Sequence, residues 1–454
     1  MRRRLYLFVT VFIVYNLNLR PIPAGDTAPA ALLPLTILVD HTVTFDRFAD
    51  WYGSQNVIPA WFAHAGDGHY YSGYPITLPL LLTPLYVPVV AFLDLRRMPV
   101  ERIVLLARVL EKVSASLIAA LSVVAFFALA GKLASARTAV ILTVIYAFGS
   151  ETWGISSQAL WQHGATELTV ILGLLCLLWA ADQPDRYLPA VAAGVWAGMG
   201  VALRLSNAVF LIVVGVYILF SGWKIARKAA FALAAAALPA ACLAYNLLLF
   251  GNLLGGYKGI RMFQGSLLAG LPGLLISPSR GLLVFSPVFI FSAIGIYLWL
   301  RGSRFPHSEI YWISMLVIIL QLLMLGRSRW WWGGFSYGPR LLTDVVPCLV
   351  ILLVPAMNLV ERSRAWRVAF GLAVCLSIAV QGIGVFCYPN GHWDGLPQPV
   401  NGHRERLWDW KDNQIFRSAG AGPVYEPYRL AWNFVMHPGT RAEEALKQQG
   451  LKLW

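Results

Sequence analysis

Repeated apolar runs of roughly 17 to 25 residues, separated by short polar loops, constrain this chain more than any motif it carries. Runs of that length cross a bilayer core of about 30 Å as α-helix, because lipid offers no partner for an exposed backbone N–H or C=O. Hydrophobic residues make up 58% of the chain and charged residues 13%, where an ordinary soluble domain carries about 25% charge. The sequence therefore predicts an all-α fold, a polytopic transmembrane helical bundle of about ten spans with a large first outer loop carrying interfacial helices.

A formal net charge of +14 would suggest nucleic acid as the partner of a soluble chain. Here much of the Lys and Arg falls in short loops, among them "KLASAR" (132–137), "WKIARK" (223–228), "RGSR" (301–304) and "ERSRAWR" (361–367), where it sets orientation by marking the cytoplasmic side. The opening "MRRRLYLFVTVFIVYNLNL" has no convincing small-residue cleavage site and reads as a signal anchor with a cytoplasmic N-terminus. Residues 1–388 then form a multi-span membrane domain with outer loops at 20–77, 150–164, 251–280 and 326–340, followed by a short extracytoplasmic tail at 389–454. The expected location is a bacterial inner or plasma membrane, with membrane lipid as solvent and no nucleic-acid partner.

One stretch breaks this scheme. If "RRMP" (96–99) and "KLASAR" both face inward, the run between them begins and ends on one side. The doubt falls on Leu78–Leu93, whose prolines at 79, 84 and 88 remove helical hydrogen bonds and suit a broken or re-entrant segment.

The polar residues that bear chemistry gather in the predicted outer loops. Asp26 stands in a Gly-Asp-Thr turn between prolines at the end of the first span, where a turn holds its backbone near the membrane face. The second outer loop, "GSETWGISSQALWQHG", adds Glu151 and His163 with Trp153, Trp161 and Gln162, side chains suited to stacking on and hydrogen-bonding a sugar. Arg204, Arg280 and Arg340 each stand at the outer end of a predicted span, against the rule that places basic residues inside. Joined by Lys258, Arg261, Arg327 and Arg329, they suit an anion, and the guanidinium fork matches phosphate. "RWWWGGFSYGPR" concentrates Trp332, Tyr337 and two glycines before Arg340, offering aromatic faces and close backbone approach to a ligand. The five cysteines lie in or at the ends of apolar runs without C-x-x-C spacing. No metal motif or cofactor is indicated, and a divalent-metal requirement is left open.

These pieces resemble the type C glycosyltransferase superfamily, membrane enzymes that take a sugar from a polyprenyl-phosphate donor, among them the aminoarabinose transferases and protein O-mannosyltransferases. The resemblance rests on "GDTAP" after the first span, "GHYYSGYPITLPLLLTPLY" (68–86), "SETWGISSQALWQHG" and "WWGGFSYGPR". It implies a hexosyl- or pentosyltransferase that moves sugar to a glycan, lipid or protein acceptor of the cell envelope, with inversion at the anomeric carbon. Asp26 would be the general base, and the arginines, with Glu151, His163, Trp332 and Tyr337, would bind substrate. The better-known members often carry an Asp-Glu pair in the first loop, whereas Asp26 is followed here by Thr27, and this departure makes Asp46 the second candidate base. The competing reading is a flippase or transporter of a lipid-linked sugar. A transporter places ionisable groups near the midplane of several spans, and here the clear ones are Arg108, Glu111 and Lys112.

Overall fold

The computed structural model describes residues 2–54, 59, 61–256, 263–302 and 305–429. They form an integral-membrane-type, multi-pass helical bundle; the one sheet among them is a hairpin of Phe62–His64 and Tyr70–Ser72, antiparallel, with Phe62 opposite Ser72. Five helices are long and apolar enough to cross a bilayer: Val100–Leu133, Gln162–Asp182, Ile225–Phe250, Ser308–Gly326 and Arg364–Cys387. Arg340–Ile351 and Val354–Arg362, bent by 54°, make a sixth if taken as one span. The hydropathy count of about ten also takes in shorter apolar helices, including Ala136–Phe148, Leu188–Leu203 and Leu205–Phe220.

The first loop is folded rather than extended. Its apolar run forms the helix Ala28–Val39, started by Pro29 in its first turn and buried along almost its whole length, as expected for a helix that is apolar on every side. It packs against Thr77–Phe92 and Val100–Leu133, so this piece of the loop is covered by protein. Around it Phe45, Phe48, Tyr52, Trp61 and Phe62 form a buried aromatic cluster.

Thr77–Phe92 is one continuous helix despite Pro84 and Pro88. At its start Thr77 Oγ1 donates to Ala202 O at 2.8 Å, beside the cavity described below. Just past its end Arg47 of the first loop donates to Leu95 O and Met98 O. The segment therefore folds back along the first loop, and Arg96–Pro99 sits at the first-loop end of the bundle. The conflict between "RRMP" and "KLASAR" is thereby removed, since the two lie at opposite ends of Val100–Leu133. Val100–Leu133 makes the crossing instead: Trp51 Nε1 reaches Glu101 at 2.7 Å near one end, and Lys132 pairs with Asp182 at the other. Its 34 residues span about 51 Å at 1.5 Å per residue, well beyond a bilayer core of about 30 Å. The excess carries Arg108, Glu111 and Lys112 up among the loops, which is why these charges are not at a midplane.

Leu188–Leu203 and Ile225–Phe250 touch through Gly194 and Gly198. A Cβ at either position would lie 2.4 or 2.3 Å from the backbone oxygens of Phe231 and Ala235. Small residues four apart let helices approach to backbone contact in lipid. The Ile225–Phe250 helix is otherwise largely uncovered by protein, so this seam is its main attachment.

Candidate active site

One cavity of about 590 Å³ opens at the first-loop end of the bundle. Its polar end is lined by Asp26, His163, Arg204 and Arg340, brought from four separate stretches of the chain, with Tyr74, Ser206 and Asn246 nearby. Its apolar part is lined by Val201, Ala202, Leu243, Leu253, Met324 and Leu325.

Asp26 sits on the 3-10 turn Gly25–Thr27, between the prolines of 21 and 23 and the helix begun by Pro29. Proline-fixed φ on both sides leaves a single tight turn in which Thr27 Oγ1 donates to Ala24 O at 3.0 Å. Arg340 Nη1 donates to Asp26 Oδ2 at 2.6 Å. Arg340 begins the 3-10 helix Arg340–Val345, directly after a loop in which Gly333, Gly334 and Gly338 have φ of +76°, +70° and +70°. Such conformations are strained for residues with a Cβ, and at Gly338 a Cβ would also strike the Phe285 ring at 2.7 Å. The loop returns Gly333 O to accept from Arg340 Nη2, while the guanidinium lies 4.1 Å from the centroid of the Trp161 ring. Arg340 Nε is buried with no hydrogen-bond partner among the described residues.

Arg204 caps the C-terminus of Leu188–Leu203. Its Nε lies 2.8 Å from Ser206 Oγ and 2.9 Å from Asp344 Oδ2, and its Nη1 lies 3.2 Å from His163 Nε2. His163 Nδ1 is 2.7 Å from Asp344 Oδ1. A carboxylate only accepts and a guanidinium only donates, so an imidazole protonated on Nδ1 with a free lone pair on Nε2 fits both contacts. Asp344, 2% exposed, thus holds both His163 and Arg204. Behind the cavity Glu111 pairs with Arg108, accepts from Leu160 N at 3.1 Å, and places Arg108 3.5 Å from Thr27 Oγ1. This pair links the Asp26 turn to the loop that carries Trp161 and His163.

The remaining expected site residues lie elsewhere. Asp46 binds His69 Nδ1 at 2.7 Å and Tyr70 N at 2.9 Å. Partial burial pushes its carboxyl up, but the hydrogen bonds from Tyr70, His69 and Thr44 prevail and hold it below the ordinary range. It is a hairpin anchor away from the cavity. Glu151 is buried against Ser286 Oγ and Gln381 Nε2. Arg280 is fully buried, donating to Trp332 O, Gln414 and Asp394 and lying over the Trp393 ring. Trp332 Nε1 donates to Asn401, and Tyr337 OH to Val380 O. Arg280, Trp332 and Tyr337 fasten the tail and the aromatic loop to the bundle, Glu151 ties its own loop to Arg364–Cys387, and none of them lines the cavity. Arg327 and Arg329 are exposed outside it, and Lys258 and Arg261 lie outside the described residues. Asp344 escaped the sequence reading, although a lone carboxylate in an apolar run is itself a functional signal. Tyr245 and Asn246, on the cavity wall, had no signal that set them apart. Among the described residues no three His, Cys, Asp or Glu side chains group as metal ligands would.

No protein-family model matches the chain, and no curated protein matches it. Among solved structures it is similar to ArnT from Cupriavidus metallidurans bound to undecaprenyl phosphate, at 14% identity and a TM-score of 0.53, covering 97% of this chain and 73% of that one. The same enzyme in its apo state gives 12% identity and a TM-score of 0.52, with the same coverage. The archaeal oligosaccharyltransferase AglB from Archaeoglobus fulgidus, in complex with an inhibitory peptide and a dolichol-phosphate, gives 15% identity and 0.47, covering 99% of this chain and 60% of that one. Over nearly its whole length, this chain has the fold of the type C glycosyltransferases.

Proposed function

We propose that the protein transfers a sugar from a polyprenyl-phosphate donor to a hydroxyl-bearing cell-envelope acceptor, on the outer face of the membrane, with the N-terminus in the cytoplasm. The observation that carries this reading is the convergence of Asp26, His163, Arg204 and Arg340 on one cavity whose other walls are apolar. The apolar part suits an isoprenoid chain, and the two guanidiniums suit the phosphate at its head. The reading is also supported by the crystal structure of ArnT, which holds undecaprenyl phosphate on this fold.

In this mechanism the acceptor oxygen attacks the anomeric carbon while its proton passes to Asp26. The bond from that carbon to the phosphate oxygen breaks, and its electron pair leaves with the lipid phosphate. Arg340 and Arg204 stabilise the charge on the leaving phosphate, which needs electrostatic stabilisation more than protonation. Attack and departure on opposite faces give inversion, by the in-line logic of single displacement. Asp344 and His163 act by positioning Arg204.

Binding of undecaprenyl phosphate to the purified protein tests the phosphate assignment. Arg340→Ala is expected to weaken it about tenfold or more, the worth of a charge-assisted hydrogen bond, while uncharged polyprenol binds as before. Equal affinity for the phosphate in parent and variant would remove Arg340 from the donor site.

A further inference from the structure

We propose that the Arg340–Asp26 ion pair is a donor-sensitive latch: a lipid phosphate takes the Arg340 guanidinium from Asp26, and the carboxylate so released is free to turn to the acceptor's hydroxyl. This inference rests on the reading above, in which Arg340 binds the donor phosphate.

Three observations carry it. First, base and phosphate ligand are bound to each other. Oδ2 of Asp26 is occupied by Arg340 Nη1 at 2.6 Å, and Arg340 Nη2 is committed to Gly333 O. That pairing turns the carboxylate toward Arg340, and a phosphate must compete for the same cation. Second, charge is balanced without a ligand. Two guanidiniums, of Arg204 and Arg340, are met by two carboxylates, of Asp344 and Asp26. An anion entering this cavity lies near a like charge in a setting where screening is weak, unless one carboxylate turns away or takes a proton.

Third, the two carboxylates are unequal. Asp344 is 2% exposed, rooted in the Arg340–Val345 helix and held by both His163 and Arg204. The Asp26 side chain is 24% exposed, on a three-residue turn, and is held by Arg340. Asp26 is therefore the group that yields. Its release orders the reaction, since the carboxylate is free to turn to the acceptor only where a donor is already seated. Taking the acceptor's proton then removes the negative charge that the phosphate brought in excess.

Removing the competing charge should tighten phosphate binding. For Asp26→Asn, a near-isostere, affinity for undecaprenyl phosphate is expected to rise about fivefold, the worth of a partly exposed ion pair, with affinity for uncharged polyprenol unchanged. Asp26→Ser carries the same expectation and serves if the first variant does not fold. Measured alongside Arg340→Ala, the outcomes separate. If Arg340→Ala weakens phosphate binding and the Asp26 variants leave it unchanged or weaker, the latch is refuted and the donor site stands. If Arg340→Ala has no effect, the donor assignment itself fails and the latch with it.

Discussion

Asp26 and Glu151 show how a carboxylate's surroundings decide its use. Asp26 lines a cavity with a cation beside it, whereas Glu151 is enclosed by Ser286 and Gln381 with no cation paired to it among the described residues. Burial raises the Glu151 carboxyl from its ordinary 4.5 to about 7, against the opposing pull of its own backbone amide, Ser286 and Gln381. A carboxyl raised in the folded state gives stability that is complete below its unfolded value and is lost as pH rises through about 7. Glu151→Gln keeps the shape and removes the titration. Its thermal midpoint in detergent should therefore fall less than the parent's as pH rises through that range. Parallel pH curves for the two proteins would show that Glu151 does not ionise there. Charged residues at span ends were legible in the sequence because lipid excludes them, and Asp26, Arg204 and Arg340 were read on that ground, while His163 was read from its aromatic loop. Arg280 satisfied the same rule and misled. Its partners Asp394 and Gln414 stand 114 and 134 residues further on, and no local pattern announces them.

At the scale of elements, composition foretold helices but not which of them touch. The helices of the first loop were expected at the interface; in Ala28–Val39 apolar residues surround the whole helix, and the structure encloses it between Thr77–Phe92 and Val100–Leu133. Three prolines made Leu78–Leu93 suspect, and the segment does turn back along the first loop, yet it remains helical. What hydropathy cannot register is a seam made of absent side chains. Gly198 faces the Ala235 oxygen where a Cβ would sit at 2.3 Å, and the helix it holds supplies Pro239, Cys242, Leu243 and Asn246 to the cavity. Gly198→Val should force the two backbones apart and cost about 1–3 kcal/mol, the range for overpacking. Lower thermal stability of the solubilised variant, with weaker binding of undecaprenyl phosphate, would show this. Parent-like stability and binding would mean that the seam does not hold the cavity wall.

The whole molecule joins two features that neither its residues nor its helices explain alone. Val100–Leu133, longer than a bilayer is thick, raises the Arg108–Glu111 pair to the level of the Asp26 turn and the Trp161 loop. The tail, clamped by Arg280 and Asp394, closes over the loop that precedes Arg340. A carboxylate, two guanidiniums and an apolar wall thereby meet at one end of the bundle. On the proposed function, that meeting is for group transfer rather than passage across the membrane, and detergent micelles separate the two because they have no sides. The decisive measurement is the release of polyprenyl phosphate from a lipid-linked sugar extract by the purified protein in micelles, with an envelope extract as acceptor. The parent should release it and Asp26→Asn should be slower by about 10²- to 10⁴-fold, the usual worth of a general base. Release at the same rate by both proteins, or by neither, would contradict the account.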